Sequence, residues 1–282
     1  MSDVMLSFGK GLDGYLTKEQ IRNSSPLVFA DAPTNPDVSD KYLFVNTETI
    51  IDDLEKLGWL PVQAAQRKSR KSGGTIFSKH MVAFQNPDIQ ITSKDGDNAY
   101  PRILLTNSHD GMQAFKFSVG IFRLVCSNGL VVADEQFSDF KIKHKGYTFG
   151  ELRNVVRQAV EDLPNKVKIM NDMKDRVLTQ EEKNKLALDA MLIRANITPG
   201  SEKAKEFNYD DETIEDILDP KREEDKGDDL WRVFNVIQEK ITQGDFHAAL
   251  TGAKVRKVRK IKSFEKDLKV NKELFKLATN LI

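Results

Sequence analysis

The chain has 282 residues, of which 39% are hydrophobic and 30% charged, enough to bury a substantial core without a disulfide or a metal to hold it. A single cysteine, Cys126, excludes an internal disulfide and suits a reducing compartment, and no apolar run approaches the roughly 20 residues of a membrane-spanning helix. The net charge is zero, so the chain as a whole offers no attraction to a polyanion, and any such partner has to be met by local charge.

Local charge is strongly segregated. Residues 67–80 hold five bases (Arg67, Lys68, Arg70, Lys71 and Lys79) and no acid. Residues 206–229 hold 12 acids against 3 bases, and residues 251–276 hold 10 bases against 3 acids. Blocks of this kind predict separate basic and acidic faces. The opening residues, MSDVMLSFGK, lack the basic and apolar regions of a signal peptide, so a soluble, cytoplasmic protein is expected.

Residues 1–46 read as irregular, broken by Gly9, Gly11, Gly14, Pro26, Pro33 and Pro36. A helix is predicted over 47–58: Thr47 can cap it, Ile50, Ile51, Leu54 and Leu57 form its apolar stripe, and Gly58 stops it. The basic loop 67–74 leads into a strand over 76–84, with His80, Val82 and Phe84 on one side and Lys79 and Met81 on the other. The two together read as a basic β-hairpin arm. Strands follow at 102–106, 114–119, 130–133 and 136–147, with polar turns at 107–111 and 127–129. From 148 the period becomes helical, with Pro164 placed to kink or divide the segment and a capping box from Thr179 to Glu182.

Residues 198–227 are acidic and contain Pro199 and Pro220, which predicts an exposed connector with one short helix over 213–218. Asp228 is expected to cap a helix over 230–242, and a last helix is expected over 271–282. Strands first and helices after predict an α+β fold with a mainly antiparallel, curved sheet. The expected organisation is an irregular segment (1–46), a sheet-rich core (47–147), a helical segment (148–197), the acidic connector (198–227) and a helical, basic C-terminal segment packed on the core (228–282).

Several short motifs carry a resemblance. They are N-S-H-D-G at 107–111, F-R-L-V-C-S-N-G-L at 122–130, L-E-K-L-G-W at 54–59 and H-M-V at 80–82. A Trp-led helix at 231–242, the basic run 254–262 and N-K-E-L-F-K-L-A at 271–278 complete the set. In these the chain resembles the phage/plasmid-like family found in bacteriophages, plasmids and integrated elements, a domain of unknown function. The resemblance covers most of 45–145 and 230–280 and leaves out the acidic stretch. It implies a mobile-element setting and no particular reaction.

Four features carry candidate chemistry. His109 and Asp110 can serve as a general base or a metal pair, or they can form an Asx-type turn. His80 and His144 can add ligands only if the fold brings them near, since no spaced His/Cys cluster is present. Cys126 can be a nucleophile beside His109, or a small buried hydrophobe in its apolar run. Arg67, Lys68, Arg70, Lys71 and Lys79 can follow a phosphate backbone, as can Lys254, Arg256, Lys257, Arg259, Lys260 and Lys262, with Val255, Val258 and Ile261 at every third position as anchors. Phe77, Phe84 and Phe264 are the aromatic candidates for base stacking.

No strand is expected before Gly9, Gly11 and Gly14, so no nucleotide-binding loop is read there, and no cofactor or metal is expected. The function these features favour is non-enzymatic: binding of DNA, single-stranded by preference, in replication, recombination or strand annealing, by a protein that forms homo-oligomers. The alternatives are a metal-dependent hydrolase or nuclease centred on His109 and Asp110, and an interaction module that antagonises a host defence protein.

Overall fold

The computed structural model describes residues 4–8, 14–38, 42, 44–66, 79–93, 98–111, 115–123, 141–142, 148–207, 209–244, 246–249 and 254–282. The expected features at 67–74, 127–129 and 130–133, with Cys126 and His144, lie outside these residues. Of the expected strand 136–147, only β7 (Lys141–Ile142) lies within them.

The sheet is built around β5 (Ala99–Asn107). On one side β5 pairs with β3 (His80–Gln85), from His80↔Asn107 to Gln85↔Arg102. On the other it pairs with β6 (Phe115–Arg123), from Ala99↔Arg123 to Thr106↔Lys116. β2 (Leu60–Gln66) flanks β3, β4 (Ile89–Ser93) joins β5 to β1 (Val4–Phe8), and β7 pairs with β6. Every pairing among these strands is antiparallel. β1 corrects two expectations. Residues 1–46 are not wholly irregular, since they also hold α1 (Lys18–Ser24) and a 3-10 turn (Pro26–Phe29). A strand also does precede Gly9, but its partner β4 is antiparallel, whereas a dinucleotide fold needs a parallel crossover there.

Side chains alternate across a strand, and one face of this sheet is apolar along its whole length. Val82, Phe84, Ile103, Leu105, Phe115 and Phe117 are buried on that face. Ile50, Ile51 and Leu54 of α2 (Thr47–Lys56) and Leu152, Val155 and Val156 of α3 (Phe149–Glu161) cover them. Further along, Ile91, Ala99 and Ile121 enter a second core made by α4 (Leu163–Asp175), α5 (Gln180–Arg194), α7 (Leu230–Gln243) and α8 (Phe264–Thr279). Trp231 and Phe234, both buried, lie in that core with ring centroids 6.4 Å apart. The fold is α+β, with an antiparallel sheet in the N-terminal half and helices in the C-terminal half.

Helix boundaries follow side-chain chemistry. Pro164 sits in the first turn of α4, where its missing N–H is harmless, so it divides the expected long helix. Thr179 and Glu182 form the expected capping box on α5. α7 is capped by Asp229, which accepts from the Arg232 N–H at 3.0 Å. Asp228 instead meets Lys183 at 2.7 Å. The last helix starts at Phe264 because Ser263 caps it. Asn271, expected at a helix start, is buried in mid-helix and accepts from Gln238 Nε2 at 2.7 Å.

The acidic stretch differs most from its expectation. In place of an exposed connector, α6 (Asp211–Leu218) packs against α5 and α7, with Ile217 fully buried. Ile214 and Ile217 lie three apart and share one helical face, and that apolar pair outweighs the acidic composition of the surrounding residues.

Ile217→Ala should therefore lower unfolding free energy by about 2–4 kcal/mol, read by urea denaturation. An unchanged midpoint would return this stretch to the status of a solvated linker.

Candidate functional site

The turn at 107–111 is part of a buried polar knot. The cap of α2 falls to Asn46, whose Oδ1 accepts from the Thr49 N–H at 3.1 Å. Thr47, expected as the cap, becomes the first residue of the helix, and its hydroxyl points inward. Thr47 Oγ1 lies 2.8 Å from His80 Nε2 and 3.4 Å from His109 Nε2, and it accepts from Asn107 Nδ2 at 3.0 Å. The β3–β5 register places His80 opposite Asn107, and the turn then carries His109 back so that the two imidazole centroids stand 4.8 Å apart. A hydroxyl has one hydrogen to donate. If it bonds both rings, it donates to one Nε2 and accepts from the other, so the rings take opposite tautomers.

Burial determines the charge state. His80 is fully buried, and desolvation, with His109 next to it, lowers its pKa to about 3. It is neutral at pH 7. The rest of the turn is held by its own polar groups: Ser108 Oγ donates to Asp110 Oδ1 at 2.7 Å, and Ser108 N–H donates to Asn107 Oδ1 at 2.9 Å. The N-terminal segment closes over it, with Thr34 N–H donating to His109 O at 2.8 Å. Gly111 has φ +77°, and a Cβ there would stand 2.9 Å from Val38 Cγ1, so the turn needs glycine twice over.

His109 and Asp110 are 1% and 4% exposed. Among the described residues no group of three or more His, Cys, Asp and Glu is arranged to hold a metal. The structure thus brings together His80 and His109, as a site would require, but aims both Nε2 atoms at Thr47.

The basic run is arranged differently. Lys254, Arg256, Lys257, Arg259, Lys260 and Lys262 are all exposed. Their backbone is anchored: Val258 N–H donates to Phe246 O and Ile261 N–H to Thr242 O, both at 2.8 Å. The Arg194 guanidinium donates to the carbonyls of Ile241 and Arg259. β9 (Arg256–Lys257) pairs with β8 (His247–Ala248). Of the three expected anchors, Ile261 is buried and Val258 half-buried, but Val255 is 51% exposed. Gly244, at φ +73°, lets the run lie close, since a Cβ there would come within 2.6 Å of Val258 O and the Arg259 carbonyl carbon.

Lys79, far from the second basic segment in sequence, lies beside its end. Lys79 closes the first and forms an ion pair with Glu265 at 2.6 Å, three residues beyond the second. Leu268 of α8 packs beside it on Met81, Ala83 and Leu104. Arg67, Lys68, Arg70, Lys71 and Phe77 lie outside the described residues, and Phe84 is core.

Residues 37–275 match the family model described as Domain of unknown function (DUF932). The chain belongs to this family. The match runs through the acidic stretch that the sequence motifs left out, in keeping with the packing of α6 in the helical core. This DUF932 chain is also similar to two proteins of Escherichia coli (strain K12). It is 30% identical over 275 residues to UPF0380 protein YafZ and 29% identical over 275 residues to UPF0380 protein YfjQ, in each case covering 96% of this chain and 93% of the relative. No solved structure matches.

The roles of Thr47, Arg194 and Glu265 in this DUF932 chain escape sequence reasoning. A threonine at a helix start has the signature of a cap, and the other two act through partners more than 45 residues away. The H-M-V motif at 80–82 marked His80 but not its partner.

Burial of His80 should make stability pH-dependent. The folded pKa of His80 lies below the unfolded value of 6.5, so the unfolded chain takes up the proton first as pH falls. Stability should be full above about pH 6.5 and decline toward pH 3 by up to roughly 1.4 kcal/mol per pH unit for this one group. Urea unfolding across that window should show a decline that is shallower in His80→Asn; equal slopes would remove His80 as its source. Gly244→Ala should displace the basic run and lower stability by more than about 1 kcal/mol, read by thermal unfolding.

Proposed function

We propose that this protein binds single-stranded DNA, without catalysing a reaction, through the basic run 254–262 together with Lys79 and the segment carrying Arg67, Lys68, Arg70 and Lys71. The observation that carries this reading is the anchored strip of six exposed cations whose far end is tied, through Glu265, to Lys79. A strip held by backbone hydrogen bonds presents its charges with little further ordering cost, and phosphate contacts of this kind provide sequence-independent affinity. Single strands are favoured because the edge of a flexible backbone can follow a short, irregular strip, whereas major-groove readout of duplex DNA calls for a helix or β-ribbon inserted in the groove.

The buried knot at Thr47, His80 and His109 supports the non-catalytic part of this reading. Its histidines are enclosed, and their Nε2 atoms lie against a hydroxyl of the chain itself. In this account the knot fixes the end of β3 from which the first basic segment departs. The cellular setting that goes with it is replication or recombination of a phage or other mobile element in the host cytoplasm, a setting taken from the family resemblance alone. No helix among the described residues is long and apolar enough to cross a membrane.

The deciding experiment is a mobility shift with single-stranded and duplex DNA at two salt concentrations. Binding should weaken steeply with salt, by about 0.7 log units of affinity per log unit of salt for each phosphate neutralised on a single strand. Replacing Arg256, Arg259 and Lys260 together by Ala should lower that slope by about 2. Absence of binding at low salt, or a slope unchanged by the triple substitution, would refute the proposal. Equal or tighter binding of RNA would reassign the ligand.

A further inference from the structure

β8 and β9 form a two-stranded ribbon that carries Arg256 and Lys257 of the basic run. Such a ribbon is at best marginal in water by itself, and its outer edge needs partners for the backbone groups it turns away from the other strand. Along an antiparallel strand, successive residues turn their backbone groups to opposite sides. The Phe246 carbonyl faces β9, accepting from the Val258 N–H at 2.8 Å, so the backbone groups of His247 and Ala249 face the other way. There they meet α6 and its cap. His247 N–H donates to Asp216 Oδ2 at 3.0 Å, Ala249 N–H donates to Thr213 Oγ1 at 3.0 Å, and Ala249 O accepts from the Asp210 N–H at 3.2 Å. In place of a third strand, β8 has the side of a helix.

The two side-chain acceptors are placed by the helix. Thr213 and Asp216 lie three apart on α6 and share a face, and Thr213 is buried. Each is held from behind. The Thr213 hydroxyl donates its one hydrogen to Asp210 Oδ1, which leaves a lone pair for the Ala249 N–H. Asp216 Oδ1 accepts from Lys240 Nζ of α7 at 2.9 Å, and Lys240 is buried. A continuous path of hydrogen bonds therefore runs from α7 through Asp216 to β8, and from β8 to β9 and the run 254–262.

We propose that Thr213 and Asp216 are positioning residues for the binding surface: acting through β8, they hold Arg256 and Lys257 of β9 in the arrangement that meets a polyanion. This rests on the reading of the run 254–262 as a nucleic-acid-binding strip. It gives the acidic helix α6 a function besides its share of the core. Neither side chain touches the ligand. Both remove conformational freedom from the strip before binding, which lowers the ordering cost of association. The anchor at the other end of the run is separate, since the Ile261 N–H bonds Thr242 O of α7 directly at 2.8 Å.

The test compares the full parent chain with two variants. Thr213→Val keeps the side-chain shape and removes the acceptor; Asp216→Ala paired with Lys240→Met removes the bond to His247 without stranding a buried ammonium. Amide hydrogen exchange without DNA reads the strip. In both variants the Val258 amide should exchange about tenfold faster. The Ile261 amide, anchored on α7, should keep its parental rate, which also shows that the variants are folded. Affinity for single-stranded DNA at low salt should fall about fivefold or more, and Thr213→Ser, which keeps the hydroxyl, should restore both readouts. On a background of Arg256→Ala and Lys257→Ala, Thr213→Val should cost no further affinity, because its effect passes through those two cations. Parental exchange at Val258, equal acceleration at Val258 and Ile261, parental affinity despite faster exchange, or a cost fully additive with the two cation substitutions overturns the proposal. A parent chain that binds no single-stranded DNA refutes that reading of the strip, and exchange at Val258 then decides by itself whether α6 positions it.

Discussion

The structure depends on one constraint: a single face of β5 and β6 must be covered along its whole length. Ala99, Ile103 and Leu105 on β5 and Phe115, Phe117 and Ile121 on β6 all project to that face. At the Asn107 end, α2 and α3 cover it; at the Ala99 end, the C-terminal helices do. Burial of this order, at roughly 25 cal/mol per Å² of apolar surface, holds the two halves together, and Leu268 of α8 adds to it by packing on Met81, Ala83 and Leu104 of the other face. Ile91 and Ala99 belong to the helical core although they sit in the sheet, so the helices cannot be removed without exposing strand residues.

The polar knot at the Asn107 end is what that packing makes possible. Closing α2 over the sheet takes Thr47, His80, Asn107 and His109 out of water. A buried hydroxyl or imidazole without a partner costs on the order of 1–3 kcal/mol. Thr47 Oγ1 therefore lies against both Nε2 atoms and accepts from Asn107 Nδ2, while the Nδ1 of His80 is buried without a hydrogen bond among the described residues, and the neutral state of His80 follows from the same desolvation. The knot joins α2, β3 and the 107–111 turn at one point. It explains why a Ser-His-Asp-Gly sequence, which can be read as a general base or metal pair or as an Asx-type turn, lies almost fully out of reach of solvent.

Charge is distributed by a different logic. The acids of α6 sit on a helix whose apolar side is core, so Glu212 and Glu215 stay exposed while Asp216 meets Lys240. The cations of 254–262 ride on an extended strip whose anchoring comes from its backbone and from Val258 and Ile261, and their side chains are exposed. Two of the charged surfaces of the chain are thus built in different ways, one on a helix and one on a strip.

The sequence by itself determined the fold class, the apolar stripe of α2, the capping box of α5, the period-two pattern of β3 and the two basic segments. Each is a property of residues adjacent or a few positions apart, where side-chain periodicity and cap chemistry act directly. Only the tertiary structure decided which capping residue was used, that 211–218 is core rather than connector, that His80 meets His109 across Thr47, and that Lys79 meets Glu265. Those outcomes depend on competition for burial between segments up to 186 positions apart. Thr47 is the plainest case. Its local chemistry fits a helix cap, but Asn46 can cap as well, and only Thr47 can place a hydroxyl between two buried imidazoles.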